Sequence, residues 1–328
     1  MKIQERIPLR DFSTYRIGGP AKYFCEVINE NDLREALAFA KERNLELLFF
    51  MGGGSNLIIA DSGFDGLVIK LNVTSYKLPA SAEASAGRQA TSLQVEAGAG
   101  LSMEELVART TQAGLAGLEW AGGLPGSLGG AIFGNAGCFG HEIKEIVSTV
   151  RAVKITNYQL LTTNSSNAEC EFSYRSSKFK KEGDYLIMSA VMEFKKGDLQ
   201  ELIKIVQEKI DYRKNRHPLE YPNIGSIFKN ISEPENVKKI LEKFPELAHD
   251  VQEKWHGKIP TAVLIQKAGL AGKQQGGAQI SEKHANFIIN KQNAKATDVV
   301  ALIKEIKQTI KEKFDIELEE EVRYMGFN

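Results

Sequence analysis

The sequence predicts a fold of mixed helices and strands in two domains, and three observations carry that expectation. At 328 residues the chain exceeds what a single core usually organises. Short apolar runs at 47–51, 57–60, 67–71 and 93–97 have the length of buried strands, whereas 31–44 and 297–314 space their apolar residues helically. The basic run Arg213, Lys214, Arg216, His217 is followed by Pro218 and Pro222, which stop regular structure and place a domain boundary nearby.

Taken in order, Gly18, Gly19 and Pro20 make a turn within 12–28, and a strand follows. Helix 31–44 carries Leu33, Ala36, Leu37 and Ala40 on one face. The strand at 47–51 breaks into Gly52-Gly53-Gly54-Ser55-Asn56. Residues 77–92, KLPASAEASAGRQATS, are poor in apolar side chains and read as a surface insertion. Ser102, with Glu105 three residues on, opens a helix. Residues 146–156 and 158–162 form a hairpin, and 185–194 a strand. Asp198, with Glu201, caps the helix that ends in the basic run. Beyond the boundary, 232–257 is charged and helical in pattern. Thr261 to Lys267 is an apolar helix, 276–280 and 286–290 are strands, 297–314 is an amphipathic helix and 316–324 a closing strand.

The stretch AGGLPGSLGGAIFGNAGCFG, 121–140, has eight glycines in twenty residues and neither a helical nor an alternating period, so it reads as a shaped loop. Bare backbone can approach a ligand closely and turn its N–H groups on an anion such as a pyrophosphate. Leu124, Leu128, Ile132 and Phe133 argue against a solvated linker. The turn at 52–57 is a second candidate. It is no P-loop, because no Gly-Lys-Ser/Thr follows. It is no dinucleotide fingerprint either, because Leu57 replaces the third glycine and Asn72 and Val73 stand where an acid is needed.

Composition narrows the function. Forty-two basic residues balance forty-two acidic ones, which gives no broad attraction to nucleic acid or anionic membrane. The first ten residues, MKIQERIPLR, form no apolar signal, and no run reaches membrane-spanning length. Cys25, Cys138 and Cys170 are odd in number and far apart, which fits a reducing, cytoplasmic setting and neither a disulfide framework nor a cysteine metal site.

Seven stretches together resemble one family: STYRIGGPA, GGGSNLI, LEWAGGLPGSLGGAIFGNAG, FSYRSS, LEYPNIGSIFKN, GGAQISEKHANFIIN and ELEEEVRYMG. In this order they are similar to the bacterial UDP-N-acetylenolpyruvoylglucosamine reductases, in the type II form with a shorter substrate domain. The resemblance implies an α+β architecture: a two-subdomain FAD-binding fold of the vanillyl-alcohol-oxidase type, then an α+β substrate domain. It divides the chain into 1–72, 73–215 and 216–328, with the last strand returning to the active site. It implies non-covalent FAD, NADPH as co-substrate, no metal, and a cytoplasmic monomer acting in peptidoglycan synthesis. NADPH reduces the flavin, which reduces the enolpyruvyl double bond of UDP-N-acetylglucosamine enolpyruvate to give UDP-N-acetylmuramate.

The same resemblance assigns residues. Gly52, Gly53, Gly54, Ser55, Asn56 and Leu57 match one FAD loop; Pro125, Gly126, Ser127, Gly129, Gly130, Asn135, Ala136 and Gly137 match the other, with 135–137 toward the flavin. Charge developing on the substrate carboxylate needs a fixed cation, and a carbon must be protonated. Arg175 matches the family's arginine, Ser226 its proton donor, and Glu321 the carboxylate that orients or stabilises the enol. Arg216 and Asn230 match positions that contact the nucleotide sugar or NADPH. His284 is left unassigned. The chain departs from the family at 77–92, at the long 232–257 segment, read as a peripheral elaboration, and at Glu320, where proline is common. Two rival readings are another flavin oxidoreductase of the same cofactor fold, tethered through Cys138 or His141, and a non-catalytic nucleotide-sugar binding protein.

Overall fold

The computed structural model describes residues 1–78 and 93–327. The chain forms two compact units. The first comprises 1–7, 21–53 and 65–213; the second comprises 8–20, 54–64 and 214–328. Helices are interspersed among strands that pair mostly antiparallel, without a regular βαβ repeat, as in an α+β fold.

The first unit holds a small two-stranded sheet, Gly137–Cys138 with His141–Glu142, and two larger ones. One orders its strands Gln4–Pro8, Pro20–Val27, Phe64–Leu71, Leu48–Met51. Helix Glu30–Glu42 buries Leu33, Ala36, Leu37 and Ala40, and the Asn29 side chain accepts from the Asp32 N–H at its start. The other sheet is antiparallel, ordered Gln159–Ser166, Val147–Thr156, Tyr185–Lys196, Leu93–Gly98, Tyr76–Lys77. Val95, Ala97, Val150, Ala152, Ala190 and Met192 alternate into the core, and helix Met103–Gln112 adds Met103, Leu106 and Val107.

The second unit is built on helix Ala296–Phe314, whose Val299, Leu302, Ile303, Ile306 and Ile310 are buried. Beside it lies the three-stranded sheet Gln274–Gln275, Ala278–Ile280, Ile288–Asn290. Leu57–Ile59 pairs in parallel with Arg323–Met325, which is why 54–64 clusters with the C-terminal part. Residues 8–20 follow for a packing reason: a Cβ on Gly19 would lie 2.3 Å from the Asp61 carbonyl oxygen, and the Tyr15 hydroxyl donates to the Ile288 carbonyl at 2.9 Å. This grouping differs from the linear division at 72 and 215.

Several expectations are corrected. The 121–140 stretch is not wholly loop: it contains the helix Leu128–Phe133 and begins on the last residue of a 3₁₀ turn, Glu119–Ala121. Leu128, Ala131 and Ile132 are buried, so packing offsets the low helix propensity of two glycines. The closing strand is shorter than 316–324: it spans Arg323–Met325, and the run before it forms an isolated bridge, Phe228 to Glu320. Within 77–92, Lys77 belongs to the strand Tyr76–Lys77, and 79–92 lie outside the described residues. The 232–257 segment is not peripheral. Its helices Pro234–Lys243 and Ala248–Glu253 deliver Val237, Ile240 and Val251 to the second unit's core. The strand Gln4–Pro8 escaped sequence reading because QERIP does not alternate.

Among the described residues no helix is long and apolar enough to cross a membrane, and no group of three potential metal-ligating His, Cys, Asp or Glu occurs.

Asp61 accepts from the Ala296 and Thr297 N–H groups at 2.8 and 3.1 Å, satisfying the otherwise open start of the long helix. Replacing Asp61 with Ala is expected to cost about 1–2 kcal/mol in urea unfolding, with Asp61→Asn losing less. An unchanged midpoint for Asp61→Ala would show that the cap is dispensable.

Candidate active site

In the first unit, the turn after Leu48–Met51 meets the turn before Leu128–Phe133. A Cβ on Gly52 would stand 2.5 Å from Ser127 Oγ, and one on Gly53 would stand 2.9 Å from Gly126 Cα. Glycine is therefore required for two backbones to lie against each other. The Ser127 side chain accepts from the Gly130 N–H and starts the short helix, so it is spent on capping. Gly129 packs against Ala99, where a Cβ would approach Ala99 Cβ to 2.8 Å. Neither 52–60 nor 121–136 contains a charged side chain. The result is a side-chain-poor surface without carboxylates, which suits the close approach and negative charge of a dinucleotide pyrophosphate. On that test the residues fit FAD.

Arg175 sits at the tip of a tight turn closed by reciprocal hydrogen bonds between Ser173 and Ser176. Its φ of 55° is in the left-handed region, an uncommon state for a side-chain-bearing residue. Three tethers bind this turn to the end of the glycine stretch. Arg175 donates to the Gly137 carbonyl at 2.9 Å, Ser177 Oγ to Phe133 O at 2.8 Å, and Asn135 Nδ2 to Ser173 O at 2.9 Å. The buried Asn135 also donates to Glu142 and accepts from the Lys144 N–H. Its side chain thus holds loops together rather than facing outward. The strain at Arg175 persists because these contacts fix it.

Arg213 was not singled out from sequence. It is buried, donates to the Gly122 carbonyl at 2.9 Å and to Cys138 Sγ at 2.9 Å, and lies over the Phe139 ring. It pins both ends of the glycine stretch. Position within a helical basic run is the only sequence trace of this, and it does not separate Arg213 from its exposed neighbours Lys214 and Arg216. Burial pushes the Cys138 thiol above its ordinary value, and Arg213 partly opposes the shift. His141 is engaged with Glu145 at 2.8 Å.

In the second unit, a ladder of hydrogen bonds aligns four distant segments. Arg323 N–H donates to Asn56 O, and Asn56 Nδ2 to Glu321 O at 3.1 Å. Glu321 N–H donates to Ile227 O at 2.8 Å, and Ile227 N–H to Asn286 O at 2.9 Å. The ladder sets the backbone next to Ser226 beside that of Glu321, and both residues are half-buried. Ser226 follows Gly225, whose φ is 81° and whose N–H donates to Asn223 Oδ1. Gly54, with φ 64°, has no room for a side chain: a Cβ would lie 2.0 Å from Phe12 O. Ser55 is half-buried, while Leu57 is buried in the parallel pair. Asn230 is half-buried, its Oδ1 3.4 Å from the Thr261 N–H. Pro125 is exposed, and Ala136 half-buried. Glu320, at the position where proline was expected, takes the Tyr324 hydroxyl and Lys307. His284 packs between His217 and Phe287, and burial lowers its pKa.

Comparison with known proteins accords with this geometry. Residues 217–325 match the family model described as UDP-N-acetylenolpyruvoylglucosamine reductase, C-terminal domain, and 21–159 match an FAD binding domain. A reductase of that name from Solibacter usitatus is 35% identical over 331 residues, covering 99% of this chain and 97% of its own. The chain belongs to the UDP-N-acetylenolpyruvoylglucosamine reductase family. Another member, from Lactobacillus delbrueckii subsp. bulgaricus, is 38% identical over 99% of this chain and 96% of its own. The crystal structure of a member from Thermus caldophilus superposes with a TM-score of 0.72 at 25% identity, covering 99% of each chain.

Gly53→Ala is expected to force the two turns apart and weaken FAD binding at least about tenfold. At Gly134 the nearest atom to an added Cβ is 3.6 Å away, so Gly134→Ala is expected to retain the cofactor. Flavin absorbance of the two purified variants checks the contrast. Equal retention would show that the approach of the turns does not matter to the cofactor.

Proposed function

We propose that this chain reduces UDP-N-acetylglucosamine enolpyruvate to UDP-N-acetylmuramate at the expense of NADPH, a step in peptidoglycan precursor synthesis. The observation that supports the reading most is membership of this family along nearly the whole chain, and the Glu321 N–H to Ile227 carbonyl hydrogen bond, one residue beyond Ser226, is consistent with it.

FAD, when bound, would supply the hydride chemistry that links NADPH to the distal carbon of the enolpyruvyl double bond. The backbones of 52–57 and 125–130 would hold it, with the backbone of 135–137 nearby. Everything else falls to side chains of this chain. As hydride adds, negative charge moves onto the substrate carboxylate, and the Arg175 guanidinium stabilises it as a fixed cation held in place before substrate arrives. Ser226 Oγ gives its proton to the carbon bearing the ether oxygen, completing net addition of H⁻ and H⁺ across the double bond. A serine hydroxyl is a weak acid, but an enolate carbon is a strong enough base if the hydroxyl is aimed at it. Glu321, carried on the adjacent backbone, orients the enol and the groups that return a proton to Ser226. Arg216 and Asn230 contribute to holding the nucleotide sugar within 216–328.

Anaerobic mixing of the holoenzyme with NADPH is expected to bleach the flavin band, and the enolpyruvyl substrate to restore it. In Ser226→Ala the bleaching is expected to proceed normally and the restoration to slow by about 10²–10⁴-fold. Normal restoration would remove Ser226 from the role of proton donor.

A further inference from the structure

We infer that Asn286 is a positioning residue for the proton-donating hydroxyl of Ser226, acting as a side-chain substitute for a missing β-strand partner. This inference rests on the function proposed above. Asn286 is 2% exposed and spends both ends of its amide on one residue: Oδ1 accepts from the Phe228 N–H at 3.0 Å and Nδ2 donates to the Phe228 carbonyl at 2.8 Å. Its own carbonyl accepts from the Ile227 N–H at 2.9 Å. A β-strand would offer the same donor and acceptor pair, but the chain departs from strand geometry here and the named strand does not begin until Ile288. On the opposite edge, Ile227 O accepts from the Glu321 N–H and the Lys229 N–H donates to Glu319 O at 2.9 Å. Residues 227–229 are therefore clamped from both sides, with Asn286 supplying one side.

Upstream, the Asn223 carbonyl accepts from Thr14 Oγ1 at 2.8 Å and Ile224 is buried, so the lightly held joint is Gly225 alone. Gly225 has φ 81°, no atom within 4 Å of where a Cβ would be, and an N–H that donates to Asn223 Oδ1 at 3.1 Å. A glycine in the left-handed region can swing. The direction of Ser226 Oγ is therefore set by what holds residues 227 and 228. Loss of the Asn286 amide leaves the buried N–H and C=O of Phe228 unpaired, and the segment must shift to satisfy them. A displacement of about 1 Å at a proton donor lowers a rate by roughly 10²-fold.

The test uses the FAD-loaded enzyme, NADPH and UDP-N-acetylglucosamine enolpyruvate, with the two half-reactions followed separately by rapid mixing. Asn286→Leu, which cannot pair with Phe228, is expected to leave flavin reduction by NADPH within about twofold of normal. Re-oxidation by the enolpyruvyl substrate is expected to slow by roughly 10²-fold, with a larger solvent deuterium isotope effect, because protonation then limits that step. Asn286→Asp keeps the acceptor and loses the donor, and is expected to fall between. It serves also where the leucine variant does not fold. In a Ser226→Ala background the same substitutions are expected to slow re-oxidation by less than about threefold, since the hydroxyl they position is gone. Normal re-oxidation in both variants, equal slowing of both half-reactions, or full additivity with Ser226→Ala would overturn the inference while the functional reading stands. A wild-type enzyme that the enolpyruvyl substrate cannot re-oxidise overturns the functional reading and the inference together.

Discussion

The first unit depends on a close approach of two backbones. Gly52 and Gly53 meet Gly126 and Ser127 at distances that leave no space for a Cβ. Such contact is possible only where side chains are absent, and it creates a surface of peptide groups uninterrupted by charge. The flanking residues serve that contact. Ser127 caps the short helix, Gly129 lets it pack on Ala99, and the buried Arg213 holds Gly122 and Cys138 at either end. Asn135 and Ser177 then bind the Arg175 turn to the same scaffold, so the cation's position is inherited from the glycine stretch.

The second unit solves a different problem with ordinary hydrogen bonds. Asn56, Glu321, Ile227 and Asn286 come from four separated stretches, yet successive bonds of 2.8–3.1 Å join them into one ladder. Each bond is worth about 1 kcal/mol. Their effect is geometric: the backbone that carries Ser226 runs beside the backbone that carries Glu321, the arrangement on which the proposed chemistry draws. The packing beneath is conventional, with the long helix Ala296–Phe314 burying one face and Asp61 closing its start.

Much of this was legible in the sequence. Helices with apolar faces, such as Glu30–Glu42 and Ala296–Phe314, followed from spacing, and the capping residues Ser102 and Asp198 act as read. The glycine turns stood out by composition, though the helix Leu128–Phe133 hidden among them did not, because its burial compensates for poor propensity. The proposed roles of Arg175, Ser226 and Glu321 rest on motif resemblance, since an arginine in a turn, a serine after glycine and one glutamate among several carry no chemical signature alone. Arg213 and Asn286 were not reachable. Their roles reside in which carbonyls and amides the tertiary fold presents to them. Segments 8–20 and 54–64 likewise joined the C-terminal unit through pairing between residues more than 260 positions apart, as in Ile58 with Tyr324.

The most direct measurement is a crystal structure of the enzyme with FAD and the enolpyruvyl nucleotide sugar bound. The expected result is a pyrophosphate lying against the backbones of 52–57 and 125–130, the Arg175 guanidinium on the substrate carboxylate, and Ser226 Oγ within about 3.5 Å of the carbon that gains the proton. A pyrophosphate bound elsewhere, or a substrate carbon beyond the reach of Ser226, would contradict it.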